Sequence, residues 1–302
     1  MTSSIPVGLD RYRDIIPEWD EFLAACRRPL AVDLRVNTLR IRPEELRARL
    51  ENQGIPLGRF DWEPTYFRTT QPVGATVEHW AGLYYLQEIV QSVPVAALDP
   101  RPGELVLDLC AAPGGKTTDI AARMENRGCL IANEPNGRRQ QALLANVNRI
   151  GAWNTTVAEY RGQDFPLGDG FDRVLVDAPC SAEGTLRKEP SLQAGASAPA
   201  IRRLAGIQAM LILRGFDLLR VGGWLVYSTC TFAPEENEAI VAHLLERRQA
   251  RILPLSVPFP HACAVTAWDG VRYPKEVAGC LRIYPHHLDS GGGFVARIER
   301  VA

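Results

Sequence analysis

A chain of 302 residues, 46% hydrophobic and 23% charged, can bury a sizeable core as one large domain or as a large and a small one. Its formal net charge of −1 excludes a globally basic nucleic-acid binder, so any basic footprint has to be local. Seven scattered cysteines with no CxxC pair argue against a disulfide framework or a zinc cluster, and for a reducing compartment.

The opening "MTSSIPVGLDRYRDIIPEWD" lacks the charged-then-apolar pattern of a signal peptide, and no run approaches about 18 apolar residues. A cytoplasmic protein with no membrane partner is expected. Residues 9–26 are predicted helical, with Trp19, Phe22 and Leu23 on the apolar side. "LAVDLRVNTLRI" reads as a strand, and Pro43 opens a helix through "EELRARLENQG" that Gly54 closes. Between residues 27 and 49 seven arginines outweigh Asp33, Glu44 and Glu45, a net +4 that is either a solvated helix face or an RNA-facing patch. The turn-rich, aromatic stretch "LGRFDWEPTYFRTTQPVG" is read as the link between a small N-terminal domain (1–75) and a larger one (76–302).

"HWAGLYYLQEIVQSVPVAALD" is predicted helical. Strands then follow at "ELVLDLC", "GCLIANE", "NTTVAEY", "FDRVLVDAP" and "GGWLVYSTC", with helices at 116–126, 135–150 and 199–220. Alternation at this spacing predicts an α/β fold, a doubly wound parallel sheet with ligands at the carboxyl ends of its strands. The end, "LRIYPHHLDSGGGFVARIERVA", reads as two strands joined by a Gly-rich turn.

The stretch "DLCAAPGGKTT" (108–118) fits two different machines. Gly115-Lys116-Thr117 is the tail of the phosphate-binding loop G-x-x-x-x-G-K-[ST], yet the first glycine is replaced by Cys110, and Pro113 lacks the N–H a phosphate cradle uses. Asp108, Gly114 and Gly115 stand at a strand end, where the next helix aims its free N–H groups at an anionic ligand. One strand later Glu134 occupies the place where a Rossmann-type site binds the hydroxyls of a ribose. That acid favours an adenosyl ligand, S-adenosylmethionine first among them; the alternative is a solvated carboxylate before a turn.

"VLVDAPC" ends its strand in Asp177 and Cys180, and "YSTC" places Cys230 at the end of the next one. Two such cysteines are either buried small hydrophobes or a chemical pair, and their company, Asp177 and Lys116, favours chemistry. The C5 carbon of cytosine accepts a methyl group only after a thiolate adds to C6, and a second acid–base group has to assist release. Asp177, sharing a proton, would hold N3 of the base, and Lys116 would stabilise charge developing on the ring.

Together the runs "LDLCAAPGGKTT", "ANEPNGRRQQALLANVNRIG", "VLVDAPCSAEGTLRKEP" and "GGWLVYSTCTFAPEENEAIV" resemble the Sun/Fmu-type RNA cytosine-5 methyltransferases, within them the RsmF-like group that methylates small-subunit ribosomal RNA. "LRVNTLRI" resembles that family's small RNA-contacting domain. The resemblance implies a Rossmann-like methyltransferase sheet with a small N-terminal α+β domain. It implies Cys230 as nucleophile and Cys180 as the group assisting release. Cys110, Ala111, Ala112, Pro113, Gly114, Gly115 and Lys116, with Glu134 and Asp177, would line the S-adenosyl-L-methionine site. Lys116 and Asp177 would also face the target base, and no metal is expected. The implied partner is ribosomal RNA or the 30S subunit, with transfer RNA, the substrate of short archaeal relatives, as the alternative; the protein is expected to be a monomer. A nucleotide triphosphatase and a non-catalytic RNA-binding assembly factor are the rival readings.

The chain departs from the family pattern in three places. Ala182 replaces the glycine usual after "DAPCS", and its methyl group is expected to be tolerated. Arg161 stands where a third acid would touch the adenine, leaving either backbone groups or Asp164 to do so. The C-terminal extension common in the RsmF-like group would begin where residue 302 falls. "TLRKEP" offers Arg187 and Lys188 either to phosphates or to an ordinary charged loop. Pro234, Glu235 and Glu236 read as a helix start, and His286 and His287 as structural or solvated.

Overall fold

The computed structural model of the chain describes residues 8–168 and 170–302. Residues 1–7 of the expected N-terminal domain, and the part of the localisation reading that rests on them, lie outside the described residues. Proline breaks the first predicted helix. Asp10–Tyr12 form a single 3-10 turn, Pro17 intervenes, and α1 runs over Trp19–Arg27. It buries Phe22, whose ring meets Phe232 at 5.6 Å and Tyr284 at 6.2 Å, so α1 packs on the C-terminal part of the chain. Strand β1 is Val32–Val36, and α2, Pro43–Asn52, opens on its proline as the spacing requires.

The segment read as a link is itself sheet. Strand β2 (Gly58–Arg59) and β3 (Tyr66–Thr69) pair in the order β2-β3-β1-β4, with β4 at Tyr84–Leu86. The stretch 79–99 is therefore not one helix. It holds the end of α3 (Val77–Trp80), then β4, a 3-10 turn at Ile89–Gln91, and α4 at Ser92–Leu98. Gly82, at φ 70°, stops α3 in a conformation that favours glycine. The aromatic pair Tyr84 and Tyr85 then extends along β1, where a pleated, half-buried surface suits such side chains. Pairing of the N-terminal sheet thus continues to Leu86.

The second sheet holds the five predicted strands, parallel to one another: β5 (Leu105–Asp108), β6 (Cys129–Asn133), β7 (Thr155–Ala158), β8 (Phe171–Asp177) and β9 (Leu219–Thr229). Helices α5 (Gly115–Arg123), α6 (Gly137–Ile150) and α7 (Ala198–Asp217) lie where the sequence predicts them, within a few residues. The sheet is mixed rather than all parallel. Gly293–Arg300 runs antiparallel beside β9, and Leu281–Ile283 beside it in turn, the two joined through a short helix at Pro285–Leu288. Apolar clusters cover both faces, one around Val174, Leu225 and Phe216, the other around Val106, Ile120 and Leu143. The order β7-β6-β5-β8-β9 reverses between β5 and β8, which makes the ends of those strands, Asp108 and Asp177, the edge where ligands bind.

One arginine clamps the two sheets together. Arg35 of β1 is buried, and its Nη1 donates to the Gly115 carbonyl at 2.6 Å and to Gln87 at 2.8 Å. Its Nη2 donates to the Thr118 hydroxyl at 2.7 Å, and Asp119 lies 3.7 Å away. Arg35→Met should lower stability to urea by roughly 3–5 kcal/mol, the range for removing one partner of a buried charge network. Arg35→Lys should restore only part of that, because one ammonium cannot reproduce the planar fork. Urea midpoints of the three proteins check both statements.

Candidate active site

Strand β5 ends at Asp108, and the chain turns through Leu109–Gly114 into α5. Gly114 sits at φ 105°, and a Cβ there would come within 3.1 Å of Leu143, so the turn requires glycine. The turn points Lys116, in the first turn of α5, at the end of β8. Lys116 Nζ donates to Asp177 Oδ2 at 2.8 Å and to Gln91 Oε1. Asp177 Oδ1 accepts from the Ser228 hydroxyl of β9 at 2.8 Å, so both carboxylate oxygens are engaged. Burial works to lower the pKa of Lys116, but the Asp177 carboxylate outweighs it and the ammonium is held above its ordinary range.

The two predicted thiols meet. Cys180 Sγ and Cys230 Sγ are 3.3 Å apart, and the Cys230 N–H points at Cys180 Sγ at 3.4 Å. A buried clamp fixes the Cys180 loop: Gln208 Nε2 donates to the Pro179 carbonyl at 2.8 Å and to Glu236 Oε2 at 2.7 Å, and that oxygen accepts from the Ser181 N–H at 3.0 Å. The hydrogen bond from Cys180 lowers the pKa of Cys230 against the effect of burial, and Lys116 adds to the lowering. Cys180 is raised well above the usual thiol range by the same bond, by burial and by the Cys230 charge. Of the two thiols, Cys230 is therefore the first to give up its proton.

Two cavities open at this edge, of about 520 Å³ and about 450 Å³. Cys110, Ala112, Asp177 and Cys230 line both. Ala111, Pro113, Gly115 and Lys116 line the larger, while Gly114 forms the turn behind it. Glu134 lines the smaller, with Oε1 accepting from the Asn136 N–H at 2.9 Å and Oε2 3.2 Å from Arg139. Arg161 and Gly162 line it too, but Asp164 does not; it pairs with Arg161 at 3.5 Å on the surface. Asp108 is buried at the floor of the larger cavity with Oδ2 bonded to Thr117 at 2.7 Å and Oδ1 unpartnered, and burial pushes its carboxyl up to about 7.

Other candidate residues take structural positions. Arg187 bonds the Pro29 carbonyl at 2.9 Å and pairs with Asp289 at 2.9 Å, its side chain 1% exposed, which removes it from phosphate contact; Lys188 stays exposed at the cavity wall. Of the arginine patch, Arg47 and Arg49 pair with Glu51 and Glu45 along α2, and Arg35 is buried. Arg27, Arg40 and Arg42 have no carboxylate within 4.0 Å among the described residues. Glu18, His286 and His287 bring their ligand atoms within 4.8 Å of one another away from the cavities, and burial presses His287 down to about 4.

Sequence reasoning missed Gln91, Ser228, Gln208 and Glu88, which hold or line the site. Ser228 had a signal: in a strand, positions two apart share a face, and Cys230 follows it by two. Gln91 and Glu88 lie in the stretch read as one helix, which hid their direction.

Two known-family profiles fit the chain: 16S rRNA methyltransferase RsmB/F over residues 95–299, and the N-terminal domain of 16S rRNA methyltransferase RsmF over residues 9–89. The chain is 39% identical to ribosomal RNA small subunit methyltransferase F of Pectobacterium carotovorum, over 97% of this chain and 62% of that protein. It is 37% identical to a 28S rRNA (cytosine-C(5))-methyltransferase of Mus musculus, over 97% of this chain and 38% of that one. It therefore spans less than two thirds of the length of these relatives. Among solved structures, a methyltransferase homolog protein from Pyrococcus horikoshii superposes with a TM-score of 0.84 at 32% identity, covering 96% of this chain and 93% of that one.

Two expectations follow from the geometry. Ala182 sits at φ 59°, a left-handed conformation, so an alanine there strains the backbone where glycine would not. Ala182→Gly should raise the urea-unfolding free energy by about 0.5–1 kcal/mol. The folded Asp108 carboxyl, pushed up to about 7, binds its proton more tightly than in the unfolded chain, near 3.8. Its stabilising effect is complete below about pH 4 and is lost as pH rises through about 7, a difference on the order of 4 kcal/mol. Asp108→Asn should flatten the pH dependence of stability across that window, as measured by denaturation at each pH.

Proposed function

The chain belongs to the RsmB/F family of 16S rRNA methyltransferases, and from that premise we propose that it transfers a methyl group from S-adenosylmethionine to C5 of a cytosine in RNA through a covalent bond between Cys230 and C6. The observation that carries this reading is the position of the thiol pair, at the junction of two cavities that share Cys110, Ala112, Asp177 and Cys230. A donor with its adenosyl end by Glu134 in the smaller cavity and its amine over Asp108 in the larger would bring its methyl group to that junction, facing a base in the larger cavity.

The residues present fit the donor. Glu134 ends β6 with a carboxylate in the smaller cavity, suited to ribose hydroxyls, and Gly162 offers backbone to an adenine where Arg161 replaces an acid. The unpartnered Asp108 Oδ1 at the cavity floor suits a cationic amine. The donor supplies an electrophilic sulfonium methyl. The same acids disfavour a triphosphate, which would meet Asp108, Asp177 and Glu88 around the larger cavity.

Cys230, held toward its thiolate form, adds to C6 of the base, and the Lys116 ammonium stabilises charge developing on the ring. Asp177, occupied by Lys116 and Ser228, serves to aim that ammonium. Once C5 carries its methyl group and loses its proton to a base, the C6–S bond breaks and its electron pair returns to Cys230. The Cys180 S–H, 3.3 Å away, stabilises the departing thiolate. A non-catalytic assembly factor has no use for this arrangement of charge.

Small-subunit ribosomal RNA is the proposed substrate, supported by the profiles and by the name of the Pectobacterium relative, while the Mus musculus relative is named for 28S rRNA. A cytoplasmic location belongs to the same proposal, supported by seven cysteines that are all unbridged.

Cys230→Ala should reduce methyl transfer by ~10³-fold or more. Cys180→Ala should accumulate a protein–RNA adduct that survives denaturation, and the double variant should not. Incubation with unmodified ribosomal RNA, 30S subunits and transfer RNA, followed by denaturing gels and sequencing of the attached RNA, reads both. An adduct on transfer RNA alone would move the substrate, and an adduct in the double variant would remove Cys230 as the bonding thiol.

A further inference from the structure

Four carboxylates line the cavity into which Cys230 opens: Glu88, Asp108, Asp177 and Glu189. Three are set apart by engagement, depth or exposure. Asp177 gives both oxygens to Lys116 and Ser228, Asp108 lies buried on the floor with one oxygen bonded to Thr117, and Glu189 is exposed and accepts from the Ser191 hydroxyl at 2.7 Å. Glu88 is neither doubly engaged, nor fully buried, nor exposed. Its Oε2 accepts from the Gly291 N–H at 3.0 Å, while its Oε1 takes no hydrogen bond and no cation lies within 4.0 Å among the described residues. Burial holds its carboxyl above the ordinary range, with Lys188 opposing.

Glu88 is also held in place. The N–H groups on either side of it, those of Gln87 and Ile89, both donate to Asp33, at 3.1 and 2.9 Å. Gly291 must be glycine for the contact to form, since a Cβ there would stand 2.7 Å from Glu88 Oε2. From Gly291 the path to the nucleophile is short and rigid. The next N–H, of Gly292, donates to the Gly184 carbonyl at 2.9 Å, and the Gly184 N–H donates to the Cys230 carbonyl at 2.8 Å. A free, oriented acceptor is thus fixed relative to the thiol that would attack the base.

Resting on the methyltransferase reading above, we propose that Glu88 binds the exocyclic amine of the target cytosine and is the group that separates cytosine from uracil. Cytosine presents an N–H donor at C4, which would complete the vacant oxygen with a charge-assisted bond. Uracil presents a carbonyl there, and carboxylate and carbonyl oxygens would face each other with no proton between them. A site built around such a bond rejects the analogue that lacks it by ~100-fold or more, because the buried acceptor is left unpaired.

The test uses a synthetic RNA spanning the cytosine trapped by Cys180→Ala protein, and the same RNA with 2-pyrimidinone, which lacks the amine, at that position. Wild-type protein should methylate the cytosine RNA at least ~100-fold faster than the pyrimidinone RNA. Glu88→Ala should lose ~100-fold on cytosine and stay within about threefold of wild type on pyrimidinone, which collapses the discrimination. Glu88→Gln, which keeps a neutral acceptor, should retain more cytosine activity than Glu88→Ala. Unchanged thermal unfolding and S-adenosylhomocysteine binding in both variants would confirm that the fold and the donor site are intact. Glu88→Ala that methylates cytosine within threefold of wild type, or that loses both RNAs equally, overturns the role of Glu88 alone. A wild-type protein that methylates no RNA overturns the methyltransferase reading, and this proposal with it.

Discussion

The Lys116 ammonium is the charge around which the sheet edge is built. It sits in a largely dry position, where an unpaired cation would be costly, and it is tolerable there because Asp177 and Gln91 both receive its protons. Each of those partners is itself fixed by a different element. Asp177 ends β8 and is held by Ser228 of β9, while Gln91 belongs to the turn before α4. The carbonyl of Gly115, one residue before Lys116, is held from the N-terminal sheet by Arg35. One ammonium therefore draws together strands from both sides of the switch point and the small sheet that lies across it.

The two thiols beside that ammonium differ in how they hold a proton. They are chemically identical and almost in contact, and burial opposes ionisation of both. What separates them first is the hydrogen bond between them, which lowers Cys230 and raises Cys180. Asp177 opposes and Lys116 favours charge on Cys230, whereas Cys180 faces Glu236, whose carboxylate opposes a second negative charge. In a water-poor site such differences are amplified, so of the two thiols Cys230 is the first to ionise. The roles proposed for the pair rest on that order.

Much of this was legible in the sequence, and the part that was not has a consistent cause. Strands β5 to β9 and the helices between them follow from alternation of apolar runs with turn residues, and the site motifs fall at strand ends because the fold puts them there. The stretch 79–99 was misread because short apolar runs carry no decisive period; β4 is a strand only because β1, some fifty residues earlier, offers it an edge. The pairing of Arg187 with Asp289, and of Arg35 with the Gly115 carbonyl, joins segments far apart in sequence, so local patterning carried no trace of it. Ala182 is the opposite case. Its departure from glycine was visible in the sequence, but only the backbone angle shows that the cost is conformational.

The antiparallel strands at the C-terminus show how an open parallel sheet acquires a walled cavity. Gly293–Arg300 pairs antiparallel along β9, so it begins beside Thr229, the residue before Cys230. The glycines that precede it come close enough for backbone groups to touch Glu88 on one side and Gly184 on the other. Side chains at those positions would force the walls apart: a Cβ on Gly292 would press on Phe232 and one on Gly184 on the Gly292 carbonyl. The run of glycines read as a turn between two strands is therefore a seam, where three segments of chain pack through their backbones. A seam made of backbone holds Glu88 at a fixed distance from Cys230, and that fixed distance is what the proposed reading of a base by Glu88 requires.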